Sequence, residues 1–170
     1  MPLAVTHVLS SIILVDLYRD YITRHRSYFT LHTVLVAGFA GLLPDIDIVL
    51  NWILGHLGSE LVHGTYTHTF LFGLVFLIPA GIYRYKRKYK TAAYFLVTTF
   101  GVMLHVLLDV IIGGGYGEGA MLFWPISDHF FKVHISTFLG FARLSAGLDA
   151  VILLLWLYHE EVKHKITDFI

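Results

Sequence analysis

Residues 91–112, TAAYFLVTTFGVMLHVLLDVII, decide the class of fold because 22 residues pass without a single Lys, Arg or Glu. A helix needs about 20 predominantly apolar residues to cross a bilayer. The same run holds His105 and Asp109, which are four residues apart and therefore share one face of a helix. Lipid offers no partner to a charge or an imidazole, so such residues in a membrane helix usually mark a functional site.

The composition of the whole chain also indicates a membrane protein. Its 170 residues are 56% apolar and 14% charged, with a mean hydropathy of +0.71, whereas a soluble domain is about one quarter charged. The formal net charge of zero argues against a nucleic-acid partner. Because the chain has no cysteine, any bound metal ion must be held by nitrogen and oxygen atoms.

Five apolar runs predict an all-α fold, a multi-pass transmembrane bundle of about five helices in a single domain over residues 1–170. The predicted runs are 3–18, 31–54, 68–83, 91–112 and 145–158. Several are shorter than the roughly 20 residues of a comfortable crossing, although a small bundle can thin the bilayer locally. The fifth run is the shortest, and it fits either a crossing or a helix at the interface.

Basic residues predict how the chain is oriented. Residues 19–30, residues 84–90 and the C-terminal tail together hold ten of the twelve Lys and Arg residues. Such residues collect in the cytoplasmic loops of membrane proteins. With five crossings all three segments fall on one side. The N-terminus is therefore predicted outside, and the C-terminus inside, the cell membrane.

Polar residues within the runs lie at a similar depth. At 1.5 Å per residue, Asp45, His68 and His105 each lie roughly 21 Å from the predicted inner boundary. Asp109 lies one turn further out, and His7 lies slightly further in. The depths and the charge bias depend on different residues, yet both predict a site near the extracytoplasmic face.

Two motifs lie inside apolar runs. The His105–Asp109 pair can bind one metal ion or bridge two, or it can be a hydrogen bond that packs helices together. Pro44-Asp45-Ile46-Asp47 can bend a helix so that both carboxylates turn inward. Alternatively, a helix ends here and the carboxylates cap the next one.

The remaining histidines complete the predicted metal site. In His63-Gly-Thr-Tyr-Thr-His68, one histidine can lie on a loop and one at a helix start, with Thr67 or Thr65 as the N-cap; two surface histidines are the alternative. The predicted ligands are His7, Asp45, Asp47, His63, His68, His105 and Asp109. They are too many for one tetrahedral zinc ion, so two or three divalent ions are predicted, zinc first, with manganese or iron as alternatives.

Clustered ions with bridging carboxylates suit the hydrolysis of phosphate esters. Asp45 and Asp47 are the predicted catalytic carboxylates, with Asp47 as a bridging ligand or as the base that activates water. The glycine-rich residues 113–119 are predicted to let a substrate headgroup approach, because glycine adds no side chain.

The order of these motifs resembles a family of membrane-bound, metal-dependent hydrolases described as LexA-regulated or LexA-binding inner-membrane proteins. The motifs are Thr6-His7, Pro44-Asp45-Ile46-Asp47, His63-Gly-Thr-Tyr-Thr-His68, His105-x-x-x-Asp109 and Phe123-Trp124-Pro125. The family usually reads His-Arg-Gly-x-Thr-His-Ser in the third motif, where this chain has Gly64, Thr65 and Thr69 instead of Arg, Gly and Ser. The pattern is also distantly similar to zinc-dependent phospholipase C, which implies a helical enzyme, a multinuclear zinc cluster and a phosphodiester substrate.

The sequence therefore predicts a membrane-embedded hydrolase that cleaves a phosphoester or phosphodiester of a lipid or amphipathic substrate. A divalent-metal transporter or metal-storing protein is the alternative, because His and Asp within helices also mark ion pathways. The apolar segments 34–39 and 70–76 favour a one-sided site over such a pathway. A third alternative is a non-catalytic protein that a coordinatively closed metal site stabilises.

Overall fold

The computed structural model describes residues 4–23, 28–55, 62–113, 119–133 and 146–165. Within these ranges the regular structure is helical, apart from one isolated bridge between Ala120 and Phe131. The predicted all-α class is therefore confirmed for the described part of the chain.

The described part of the chain contains seven α-helices. They are α1 (Ala4–Leu17), α2 (Leu31–Ala40), α3 (Ile46–Leu54), α4 (Phe70–Leu74), α5 (Leu77–Tyr85), α6 (Tyr89–Leu108) and α7 (Ala146–His164). Both α1 and α6 continue into π-helical turns, over Tyr18–Thr23 and Asp109–Gly113 respectively.

One of these helices is long and apolar enough to cross a membrane. With its π-helical turn it covers Tyr89–Ile112, which is 24 residues long, and an 18-residue window within it has a mean hydropathy of 2.2. Leu31–Ala40 and Phe70–Tyr85, the second of which contains α4 and α5, are shorter apolar helical segments. Among the described residues there is thus one candidate span, and the bundle of five crossings stays a prediction.

The second apolar run is two helices and not one bent helix. The α2 helix ends at Ala40, and α3 begins at Ile46. In a continuous helix the ring of Pro44 would clash with the carbonyl group four residues earlier, which is that of Ala40. Asp45 occupies the N-cap position of α3, but its side chain makes no capping hydrogen bond. The carboxylate of Asp45 is therefore available for other contacts.

The third apolar run is also divided. Its first helix, α4, is capped by Thr69, whose Oγ1 accepts a hydrogen bond of 3.0 Å from the backbone N–H of Phe72. The predicted caps at Thr67 and Thr65 are therefore wrong. After α4 the chain turns at residues 75–76 and continues as α5. The cause is Pro79, whose ring would clash with the carbonyl group four residues earlier in an unbroken helix.

Close packing of α1, α2 and α6 forms the core beneath the polar residues. Val15, Val34, Ala37 and Val97 are buried together there. A Cβ atom on Gly101 would lie 2.8 Å from the carbonyl oxygen of Ala37, so only glycine allows this approach of α6 to α2. Small residues commonly permit such close helix contacts in membranes. The packing brings the C-terminal end of α2 between α1 and α6.

The fifth run forms a helix that lies parallel to α1. It reaches His164, beyond the predicted end at residue 158. Three polar contacts occur in the same order along both helices: Thr6 with Asp149 at 2.9 Å, Asp16 with Trp156 at 3.2 Å, and Asp20 with His164 at 2.8 Å. Because the order is the same, α7 packs alongside α1 and runs in the same direction.

A candidate metal centre

The first wall of the candidate centre is formed by α1 and α6. The imidazole rings of His7 and His105 are buried and stacked, with their centroids 3.9 Å apart. Asp109 follows His105 by one turn, and its Oδ2 lies 3.1 Å from His105 Nε2. The other oxygen, Oδ1, lies 3.4 Å from His7 Nε2. The carboxylate of Asp109 therefore faces histidines from two helices.

The second wall comes from the start of α3 and from residues 62–69. Asp45 Oδ1 lies 3.9 Å from the Nε2 atoms of both His63 and His68. The same oxygen is 3.5 Å from His105 Nε2. His68 Nε2 is in turn 3.4 Å from Asp109 Oδ2. The Nε2 atoms of all four predicted histidines thus face one or both of two carboxylates.

Asp47 lies on the other side of two of these rings. Its carboxylate accepts a hydrogen bond of 3.0 Å from His63 Nδ1 and lies 3.4 Å from His68 Nδ1. Thr67 Oγ1 donates to the same carboxylate at 3.1 Å. A carboxylate bonded to the far nitrogen of an imidazole fixes the ring and leaves the near nitrogen free for a metal ion.

The ring of His105 is held in a similar way by the backbone. Its Nδ1 donates to the carbonyl oxygen of Gly41 at 2.6 Å. That carbonyl follows the C-terminal end of α2, where Pro44 has interrupted the helix and freed backbone groups. The acceptor on Nδ1 leaves the Nε2 lone pair of His105 directed at Asp45 and Asp109.

Buried atoms without hydrogen-bond partners support a metal site. Within the described residues, His68 Nε2, His105 Nε2 and Asp109 Oδ1 are buried in this cluster and have no such partner. Each unsatisfied buried group costs about 1–3 kcal/mol. A native structure tolerates few of them, so three in one cluster need an explanation. A divalent cation would bring compensating bonds.

The spacing of the donor atoms also fits metal ions. Two ligands about 2.1 Å from a tetrahedral zinc ion lie roughly 3.4 Å apart, and the Nε2-to-carboxylate distances here are 3.1–3.9 Å. Two sets have donor atoms all within 4.8 Å of one another: His7, His105 and Asp109, and Asp45, His63 and His68. The structure thus brings all seven predicted ligands together, and it places six of them in two adjacent sets.

The loop that carries His63 and His68 is fixed by two glycines. Gly64 has a φ of +87°, and a Cβ atom there would lie 2.7 Å from the carbonyl oxygen of Gly119. A larger residue at position 64 would require the backbone of Gly119 to shift. Residues 114–118, from the predicted glycine-rich approach, lie outside the described residues.

A second polar group, which the sequence did not predict as a metal site, lies at the opposite end of α1. Its donor atoms come from Asp16, Asp20, His159 and Glu160 and lie within 4.8 Å of one another. Asp16 and Arg19, which are three residues apart, form an ion pair of 2.9 Å in this group. Arg19 also lies 3.1 Å from Asp20. The positive charge beside both aspartates is therefore supplied by the side chain of Arg19.

Comparisons with known proteins give a family and no activity. No curated protein and no solved structure matches this chain. The family model of the YdjM inner membrane protein matches residues 1–165, which include every residue of the candidate metal centre. The chain therefore belongs to the YdjM inner membrane protein family.

Proposed function

We propose that this protein is a membrane-embedded, metal-dependent hydrolase that cleaves a phosphoester or phosphodiester of a lipid or amphipathic substrate. One observation carries the proposal. Four histidines direct their Nε2 atoms at two carboxylates, while buried nitrogen and oxygen donors in the same cluster have no hydrogen-bond partner. Such a set of nitrogen and oxygen donors suits zinc, manganese or iron.

Six residues are proposed as ligands of two ions. His7, His105 and Asp109 form one set, and Asp45, His63 and His68 form the other. Asp45 also approaches His105, and Asp109 also approaches His68, so each carboxylate is placed to join the two sets. A pair of divalent ions supplies a nucleophilic water at neutral pH and stabilises the charge of the attacking and leaving oxygens.

Asp45 is the carboxylate best placed to meet water or substrate. Its side chain is 19% exposed, compared with 6% for Asp47 and 8% for Asp109. We assign Asp45 to proton transfer at the opening of the site. Asp47 holds the rings of His63 and His68 in position. A direct role of Asp47 as a bridging ligand or as the base stays a prediction from the sequence.

The proposed site lies near the extracytoplasmic face of the inner membrane. Family membership supports a membrane location, and the 24-residue helix supports at least one crossing. The parallel course of α1 and α7 is what a first and a fifth crossing require. The basic residues at 84–90 favour a cytoplasmic start of α6. His105 and Asp109 then lie near the outer end of that helix.

Transport of a divalent cation is the second candidate, and the polar group at the other end of α1 favours it. An ion could bind at a second site there, formed by Asp16, Asp20, His159 and Glu160. However, Arg19 already pairs with both aspartates, at 2.9 and 3.1 Å. Because a guanidinium stays charged at any accessible pH, it already compensates the charge of these aspartates and competes with an incoming cation for them. The geometry therefore favours a one-sided site over an ion pathway.

Metal analysis of detergent-purified protein tests the proposal first. We expect about two divalent ions per chain in the wild type, as in two-metal hydrolytic sites, and fewer in His105→Ala. His32 is an exposed histidine on α2, so His32→Ala is the matched control and should retain the ions. Stoichiometric metal that survives His105→Ala would contradict the assignment, as would a wild type without metal.

Activity is tested on the same preparations. Metal-loaded wild type is expected to release product from a panel of phosphomonoester and phosphodiester lipids, whereas Asp109→Ala is expected to be inactive. An active, metal-replete Asp109→Ala protein would refute the hydrolase site. Uptake of zinc into proteoliposomes without any hydrolysis would favour the transport alternative.

A further inference from the structure

A cavity of about 520 Å³ lies between α1 and α6 and is almost wholly apolar. Its walls include Leu14 and Val15 of α1, Tyr18 of the turn that follows, and Leu96, Val97 and Phe100 of α6. Pockets for small ligands usually measure about 300–1,000 Å³. With almost no polar group in its walls, this cavity can recognise only hydrocarbon.

Most of the cavity wall comes from the two helices that carry the stacked rings of His7 and His105, and Phe29, which precedes α2, completes the wall. Leu14 follows His7 by seven residues, or about 10 Å of helix, and Phe100 precedes His105 by five residues, or about 8 Å. Steps of three and four residues join His7 to Leu14 on one face of α1. Both walls of the cavity therefore lie about 8–10 Å of helix from the stacked rings, on the same two helices.

The cavity opens sideways. Val15 and Val97 are buried at its floor, whereas Leu14, Leu96 and Phe100 at its rim are between 39% and 44% exposed. In a membrane this rim faces the hydrocarbon of the bilayer, so a lipid chain can enter laterally without passing through water. An occupant that enters in this way can keep its polar part at the level of the histidines.

We propose that the cavity between α1 and α6 binds one acyl chain of a bilayer phospholipid whose phosphoester lies at the metal centre. The proposal rests on the proposed function and names the substrate class as long-chain phospholipids. Tyr18, at the far end of the cavity, is eleven residues or about 16 Å of helix from His7. A long acyl chain would reach it, and a short one would not.

Photolabelling in vesicles tests this proposal. The full-length protein is reconstituted in phosphatidylcholine vesicles that contain a phosphatidylcholine with a diazirine at the end of one long acyl chain. After illumination, labelled peptides are mapped by mass spectrometry. We expect labels concentrated at residues 14–18 and 96–100. A phosphatidylcholine with a short diazirine chain should not label Tyr18.

Filling the cavity should expel the chain. Leu96→Trp is expected to lower labelling about fivefold or more, because added side-chain volume leaves no room for the ligand. Leu14→Trp fills the cavity from the opposite wall. It provides a second test of the cavity if Leu96→Trp does not fold. Leu155 is exposed on α7, so Leu155→Trp is the matched control and should label like the wild type.

The outcomes separate this proposal from the proposed function. Labelling spread evenly over all exposed apolar residues, and unchanged in both cavity variants, would show surrounding bilayer lipid only and would overturn the proposal. The metal content of the same samples is measured in parallel. Cavity labelling in a protein without metal would uphold the acyl-chain site while the hydrolase proposal fails. Bound metal without cavity labelling would uphold the metal centre and overturn the acyl-chain site.

Discussion

Asp47 is expected to act on the metal centre through two histidines. It accepts a hydrogen bond from His63 Nδ1 at 3.0 Å and lies 3.4 Å from His68 Nδ1. Loss of such an orienting carboxylate typically weakens metal binding about 10–100-fold. Asp47→Asn should therefore bind zinc more weakly by that factor but reach the wild-type stoichiometry at saturation. Zinc titration against a competing chelator measures both quantities.

Asp45→Asn is the matched control for that experiment. The Asp45 carboxylate faces Nε2 atoms and not Nδ1 atoms, so this variant should bind fewer ions even at saturating zinc. If Asp47→Asn also lost an ion at saturation, Asp47 would be a ligand, as the sequence pattern alone predicted.

The sequence could predict which side chains lie close together but not the separate roles of Asp45 and Asp47. Burial of His and Asp in apolar runs is costly unless they are paired, so their common depth was a sufficient signal for the cluster. The division between Asp45 and Asp47 depends on which ring nitrogen each carboxylate faces. That choice depends on the path of residues 62–69 and on the carbonyl of Gly41, and no local pattern encodes either.

The apolar runs predicted where helices occur. A helix end at Pro44 was the alternative to a bend there, whereas the division before Pro79 was not predicted. Both breaks have a local cause that could have been read from the sequence. Pro44 and Pro79 each follow the interruption by about four residues, the distance over which a proline ring clashes with a helical carbonyl. The first break creates the turn that places Asp45 in the site, so the broken run is part of how the site forms.

A hydrogen bond between α7 and α1 is expected to stabilise the fold. Trp156 Nε1 donates to Asp16 Oδ2 at 3.2 Å, and a hydrogen bond to a charged group contributes about 1.5–3 kcal/mol. Trp156→Phe removes the donor and should lower the free energy of unfolding by roughly that amount. Thermal unfolding in detergent would show this as a lower midpoint.

An exposed tryptophan provides the control for this change. Trp52 on α3 is largely exposed, so Trp52→Phe should leave the unfolding midpoint almost unchanged. Equal midpoints for the two variants would mean that the hydrogen bond between Trp156 and Asp16 adds nothing to stability. The parallel pairing of the two helices would then need another cause.

A group of basic residues and the metal centre lie at opposite ends of α6. The metal centre lies towards the C-terminal end of α6, and five basic residues lie at 84–90, around its N-terminal end. One crossing by this helix therefore separates the basic residues from the site. The sequence predicts the direction of that crossing from the charge bias alone, whereas packing of the helices within the chain cannot reveal which face is cytoplasmic.

Because the chain has no cysteine, single cysteines can test that orientation directly. Tyr85 and Ile126 lie on either side of the candidate span and are 90% and 92% exposed. In intact cells an impermeant maleimide should label Ile126→Cys, whereas Tyr85→Cys should react only after permeabilisation, because the basic end of α6 faces the cytoplasm. The reverse pattern would place the metal centre, and therefore its substrate, on the cytoplasmic side. Labelling of both from outside would mean that Tyr89–Ile112 does not cross, and the outward-facing lipid hydrolase would have to be abandoned.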